Sequence, residues 1–263
     1  MNMNIKMENS LQVTRISLRQ FWTNKDHFLR LALIPAILLL VISIPLSDII
    51  SAIFAAQEQE RQNLVLQHAP ALMGYSLFYI LVLAFFATNW LRFIAFDTKH
   101  NVKNSTGFLG MHIRVAHFRF ALAMMLLVVF QSTIFNLLFV TLGRIFPLLV
   151  TFFLGLLIGL YFILRLSPYI VGLALDRPLK IRQAWQISKR HTRGLMASVL
   201  LVQFLLFLAE QGMALLFFAV GLLNLAPHGI YFVLSFIELA RLAITLNNVF
   251  FYYRRMTELE LVV

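Results

Sequence analysis

Six long apolar stretches separated by polar segments organise this sequence, at about 29–53, 71–95, 118–142, 145–172, 195–223 and 230–253. Each exceeds the roughly 20 apolar residues a helix needs to cross a bilayer, and each is far too long for a buried strand. The pattern predicts an all-α integral membrane bundle of six transmembrane helices, one polytopic domain over residues 1–263. Pro35 and Pro45 fall in the first stretch and predict a kink or a late start, tolerable where neighbouring helices re-satisfy the backbone. Between the spans, 54–70 reads as an acidic, Gln-rich loop and 97–117 as a basic loop. Gly143 and Arg144 mark a tight turn, and 224–229 a short one.

Between the fourth and fifth stretches the periodicity changes. Wound at 100° per residue, 179–193 places Ile181, Ala184, Trp185, Ser188 and Thr192 on one face. Arg182, Lys189, Arg190 and Arg193 gather on the opposite one, with Leu179 and Ile187 outside the stripe. Asp176 is the expected N-cap, Pro178 suits the first turn and Gly194 the end. This reads as an amphipathic helix lying in the membrane surface, its basic side toward anionic headgroups. Residues 1–27 hold a second candidate, with Leu11, Arg15, Leu18 and Trp22 at helical spacing. Basic segments at 15–25, 110–119 and 179–193 precede spans one, three and five, as three tandem copies of surface helix plus hairpin would require. Any even-pass protein with basic inner loops shares that look, and residue identity between the copies is poor.

Composition agrees with the pattern: 60% of residues are hydrophobic, 13% are charged and mean hydropathy is +0.83. The net charge of +11 would raise nucleic acid in a soluble chain. Here the cations sit between apolar runs, where loop charge sets orientation, and no aromatic-plus-basic nucleic-acid module accompanies them. Of the 22 Lys and Arg, Arg61 and Arg144 alone fall on the opposite side of the predicted membrane. The expectation is a multi-pass protein of the cell inner membrane with both termini cytoplasmic. A secretory signal is not expected, because the basic region before the first run is long and the run outlasts a signal core. With no Cys, disulfides, thiolate catalysis and Cys-based metal sites are excluded.

Candidate chemistry lies inside the spans. Glu210 and Glu238 each sit about fifteen residues from the cytoplasmic end of their span, roughly 22 Å deep. Arg241, three residues after Glu238, shares its helix face and is positioned to pair with it. Charges at that depth face the bundle interior and pair, so Glu210, Glu238 and Arg241 are expected to form one cluster joining spans five and six, with Gln203 or Gln211. Such a cluster serves as a site for a headgroup, ion or proton, or as a structural ion pair that fixes register. Arg92 and Arg165, near span ends, are expected to snorkel. Gly155 and Gly159 form a small-xxx-small pair that permits close helix packing. The 26 Phe read as lipid-facing or packing bulk. No GxSxG, HExxH or GxxxxGK[ST] motif occurs, and His112 and His117 are five apart, the wrong spacing for two ligands on one helix face. Neither an enzyme, a metal site nor a cofactor is expected, and the His residues read as surface or interface positions.

Pro168, Ala174 to Arg177, Ala184, Trp185, Ser188 and Gly194, with the closing NNVFFYYRR of Asn247 to Arg255, carry a resemblance. Trp22 and the Leu33-to-Pro35 run add to it. Together they resemble a bacterial six-pass inner-membrane family similar to the membrane domain attached to some glycerophosphoryl diester phosphodiesterases. The likeness spans the whole chain through loose motifs. It implies a stand-alone membrane module and brings no catalytic site, since in the fused proteins the phosphodiester chemistry belongs to a separate soluble domain. The leading expectation is a non-enzymatic inner-membrane protein that binds lipid or assists envelope lipid handling. The alternative is a small transporter or channel using the intramembrane Glu/Arg cluster.

Overall fold

Apolar runs of this length satisfy their backbone internally only as helices once water is excluded, and helices are what the chain forms. The computed structural model describes residues 10–96, 114–142, 148–219 and 227–260. Among them are α1 (Ser10–Thr23), α2 (Lys25–Ala55), α3 (Glu58–Phe96), α4 (Val115–Leu142), α5 (Leu148–Ala174), α6 (Ile181–Ser188), α7 (Thr192–Ala219) and α8 (Pro227–Glu260). Six of them (α2, α3, α4, α5, α7 and α8) are long and apolar enough to cross a membrane. The chain is a multi-pass, all-α membrane protein. Of the expected basic loop at 97–117, residues 97–113 lie outside the described residues and 115–117 already belong to α4. The turn at Gly143 and Arg144 lies outside them, as do 224–226 of the expected turn at 224–229, whose residues 227–229 open α8.

Several helices outrun their expected spans. Residues 58–70, expected as loop, are the first turns of α3, with Pro70 inside the helix. Glu, Gln, Arg and Leu are good helix formers and let the span continue past its apolar part. Helix α2 starts at Lys25 and runs unbroken through Pro35 and Pro45.

The helices pack in a cyclic order. The inner helices α3, α5 and α8 touch one another pairwise. Each outer helix packs on the inner helix that follows it in the chain: α2 on α3, α4 on α5, α7 on α8. Each also packs on the inner helix of the preceding hairpin: α4 on α3, α7 on α5 and, closing the ring, α2 on α8. The short helices obey the same rule, α6 lying on α5 and α1 on α8 and α7. This three-unit arrangement supports the tandem-copy reading for the first and third units. Of the middle unit's segment at 110–119, residues 110–113 lie outside the described residues and 115–119 form the start of α4.

Packing is tight on the side of the bundle that carries α1 and α6 and loosens toward the other. Phe28, Leu39, Phe86, Trp90, Leu91, Phe120, Val171, Leu195, Leu239 and Met256 are buried there. Rings of Phe21, Phe28, Phe86, Trp90 and Phe93 pack edge to face or offset, tying α1 and α2 to α3. Toward the far side, Phe54, Met73, Leu137, Phe153 and Phe207 are exposed, as lipid-facing side chains are.

Candidate functional site

A cavity of about 500 Å³ lies where the three inner helices meet. Ala84, Ala87 and Leu91 of α3, Leu164 and Val171 of α5, and Leu246 and Val249 of α8 give it apolar walls. The two alanines leave room that larger side chains would fill. Its polar lining comes from Ser167 and, at one end, from Gln203, Glu238, Arg241 and Thr245.

That polar end differs from the expected cluster in its pairing. Arg241 does not pair with Glu238; its Nη1 lies 3.8 Å from Glu210 Oε2 on α7. Arg241 Nε also donates to the Gln203 side-chain oxygen. Gln203 Nε2 donates to Thr245 Oγ1 at 2.9 Å, and Thr245 Oγ1 donates to the Arg241 carbonyl at 2.8 Å. Glu238 accepts instead from the Tyr79 hydroxyl of α3. Three spans meet at this cluster, where two were expected. Gln203 takes the bridging place, while Gln211 is exposed. Tyr79 carried no signal in the sequence, because nothing in the spacing of α3 sets its register against α8; Thr245, four residues after Arg241, shares its helix face.

The second candidate region is the surface around α6. Helix α6 spans Ile181–Ser188, shorter than the expected 179–193. Lys189 and Arg190 therefore lie in the turn that follows it, and Arg193 sits in the first turn of α7. Ala184 and Ser188 are buried, Trp185 is half-buried, and Arg182, Lys189, Arg190 and Arg193 are all exposed. The two-faced character holds apart from Ile181, which is exposed, although the helix is interrupted. Asp176 does not cap α6. With φ 56° it occupies the left-handed position that ends α5, where Arg177 N–H donates to Gly172 O at 2.8 Å and Asp176 N–H to Leu173 O at 3.4 Å. At the start of α6, Gln183 Oε1 accepts from the Lys180 backbone N–H at 3.1 Å. Gly194 ends no helix: it lies inside α7 with Tyr252 Oη 2.9 Å from where a Cβ would stand.

Neither Arg92 nor Arg165 snorkels. Arg92 Nη1 binds Asp176 Oδ2 at 2.6 Å and the Ala174 carbonyl at 3.2 Å. Arg165 is 4% exposed, with its guanidinium carbon 4.3 Å from the Trp185 ring centroid. A second cavity, of about 650 Å³, opens between α3, α8 and the α5–α6 turn, with Arg177 and Arg254 on its wall. In the turn between α6 and α7, burial and the nearby Arg255 and Arg190 push the pKa of His191 below its usual value.

The Gly155 and Gly159 pair packs α5 against α4. A Cβ at Gly155 would stand 2.8 Å from the Phe135 ring, and one at Gly159 would meet the Gln131 side chain. Helix α1 is pinned to the bundle by Asn247 Nδ2, which donates to Ser17 O at 3.1 Å. Trp90 Nε1 holds that amide through Asn247 Oδ1 at 2.9 Å. Val13, Thr14 and Ser17 are buried, while Leu11, Arg15, Arg19 and Trp22 face outward. His117 is fully buried and packs against Phe85 of α3, an interface position; its Nδ1 accepts from the Arg114 N–H at 3.0 Å and caps α4.

No family model, curated protein or solved structure matches the chain.

Proposed function

We propose that this is a non-enzymatic, lipid-binding protein of the cell inner membrane, holding one membrane amphiphile in the cavity between α3, α5 and α8. What carries the reading is the make-up of that cavity. Its wall is almost wholly apolar, and its hydrogen-bonding groups gather at the Gln203, Glu238 and Arg241 end. The volume falls within the roughly 300–1,000 Å³ usual for small-molecule sites. A tail lies along Ala84, Ala87, Leu91 and Val249 while a hydrogen-bonding head meets the cluster. The exposed cations around α6, with Arg15 and Arg19 of α1, face anionic headgroups on the cytoplasmic side, where the charge bias also puts both termini. The sequence likeness to stand-alone membrane modules points the same way.

Native mass spectrometry of gently extracted protein tests this. One lipid class is expected at fixed stoichiometry in the wild type, and Ala87→Leu, which fills the cavity, is expected to lower its retention about tenfold with the thermal midpoint kept. A wild-type protein that carries bulk lipid alone sinks the reading.

A transport role is the second reading. It is favoured by the second cavity, which shares α3 and α8 with the first. It predicts substrate-dependent flux in proteoliposomes that Glu238→Gln or Arg241→Gln abolishes.

A further inference from the structure

A cation inside a bilayer protein is expensive unless an anion or several acceptors meet it. Arg165 has neither. It is 4% exposed, and its Nε is buried without an acceptor. Among the described residues the ion pairs within 4.0 Å are Arg92 with Asp176 and Arg241 with Glu210. What Arg165 does have is a ring: Trp185 covers its guanidinium at 4.3 Å, and Trp185 is itself set against Phe162 and Tyr161. A π-face stabilises a cation without neutralising it, and it leaves the N–H edge unused. Helix α6 is fastened over the same residue, since Ser188 Oγ donates to the Arg165 carbonyl at 2.9 Å.

We propose that Arg165 is the binding residue for a phosphodiester, the anionic headgroup phosphate of a membrane phospholipid, taken in beside α6 with Trp185 as its cap. The planar guanidinium fork matches phosphate oxygens two at a time. Arg182, Lys189, Arg190 and Arg193 are exposed on α6, on the connection after it and at the start of α7. They raise the local concentration of anionic lipid and hand one headgroup inward. Two kinds of cation thus divide the work. Arg165 holds one lipid by geometry, and the outer four attract many by charge. The assignment rests on the lipid-binding reading and adds the headgroup chemistry and a second position on the protein.

The test uses the full chain in detergent micelles doped with phosphatidylglycerol or phosphatidylcholine, with bound lipid counted by native mass spectrometry. Arg165→Met keeps the length and stacking of the side chain and removes the charge. It is expected to lose phosphatidylglycerol affinity about tenfold or more, the worth of a charge-assisted bidentate contact. Arg165→Lys keeps the charge without the fork, and is expected to lose part of that affinity. If Arg165→Met does not fold, the Lys variant decides. The four-fold variant Arg182→Gln, Lys189→Gln, Arg190→Gln and Arg193→Gln is expected to lose salt-sensitive association while keeping the one tight lipid. Displacement of that lipid by excess inorganic phosphate would reassign the site to free phosphate and overturn the lipid assignment. A folded Arg165→Met, or Arg165→Lys where Met does not fold, that binds phosphatidylglycerol like wild type also overturns it. If that happens while Ala87→Leu still loses lipid, the cavity reading stands and the Arg165 assignment alone fails.

Discussion

Arg92 and Asp176, 84 positions apart, meet at 2.6 Å and tie the end of α3 to the turn that closes α5. Asp176 can serve there because its backbone is in the left-handed region, φ 56°, which Asp tolerates better than most residues. The same guanidinium reaches the Ala174 carbonyl, one of those an α-helix leaves without an internal partner. Asp176 is half exposed, so solvent screens the pair. Arg92→Met is expected to cost about 1 kcal/mol through both bonds, and Asp176→Asn less, because it keeps the backbone preference. Thermal midpoints of the single and double variants give the coupling. A double variant equal to the sum of the singles would show that the pair contributes nothing.

Asn247 joins three helices through one amide, receiving Trp90 Nε1 and donating to Ser17 O. Asn247→Leu leaves the indole with the Ala243 carbonyl at 3.1 Å and leaves the Ser17 carbonyl buried without this donor. The expected result is selective release of α1. Hydrogen exchange over residues 10–23 should rise steeply while α3 and α8 stay protected, at a cost of about 1–3 kcal/mol. Uniform loss of protection would mean instead that α1 docking and bundle packing are one cooperative unit.

Two glycines are held by different neighbours, and alanine should separate them. At Gly194 a methyl meets the hydroxyl of Tyr252, a buried ring with little room to move. At Gly159 it meets the Gln131 amide, the far end of a flexible side chain. Gly194→Ala is expected to destabilise by about 1–3 kcal/mol, the usual range for overpacking, and Gly159→Ala by clearly less. Melting curves of the two variants in one detergent check the order.

Burial, Arg255 and Arg190 hold the His191 pKa below its free value. At pH above about 6.5 the imidazole is neutral in both folded and unfolded chains and adds no pH dependence. Below that, the unfolded chain takes up a proton that the folded one resists, so stability falls with pH until the depressed folded value is passed. The thermal midpoint should drop as pH falls below about 6.5, and His191→Gln should flatten that segment of the curve. An unchanged slope in the variant would assign the effect to another group.

Six spans, their approximate limits and the two-faced surface helix were legible in the sequence, because burial in lipid needs only length and hydropathy, and both are local properties. The density of Lys and Arg between the spans was equally plain, since charge is additive along a chain. Span ends were harder to read: α3 begins at Glu58 because helix propensity carries the backbone beyond the apolar run that marks the membrane. Asp176 looked like the start of one helix and is the end of another, a difference carried by a single φ angle.

Partners were decided by tertiary structure alone. Helical periodicity puts Glu238 and Arg241 on one face, yet the rotation of α3 and α7 against α8 gives the first to Tyr79 and the second to Glu210 and Gln203. Arg165 has the look of a snorkelling residue until α6 folds back and covers it with Trp185. The ring of α3, α5 and α8 and the cavity inside it arise from how three hairpins close on one another. An apolar face specifies that it must be covered and leaves open which helix covers it, because dispersion and lipid exclusion are not directional.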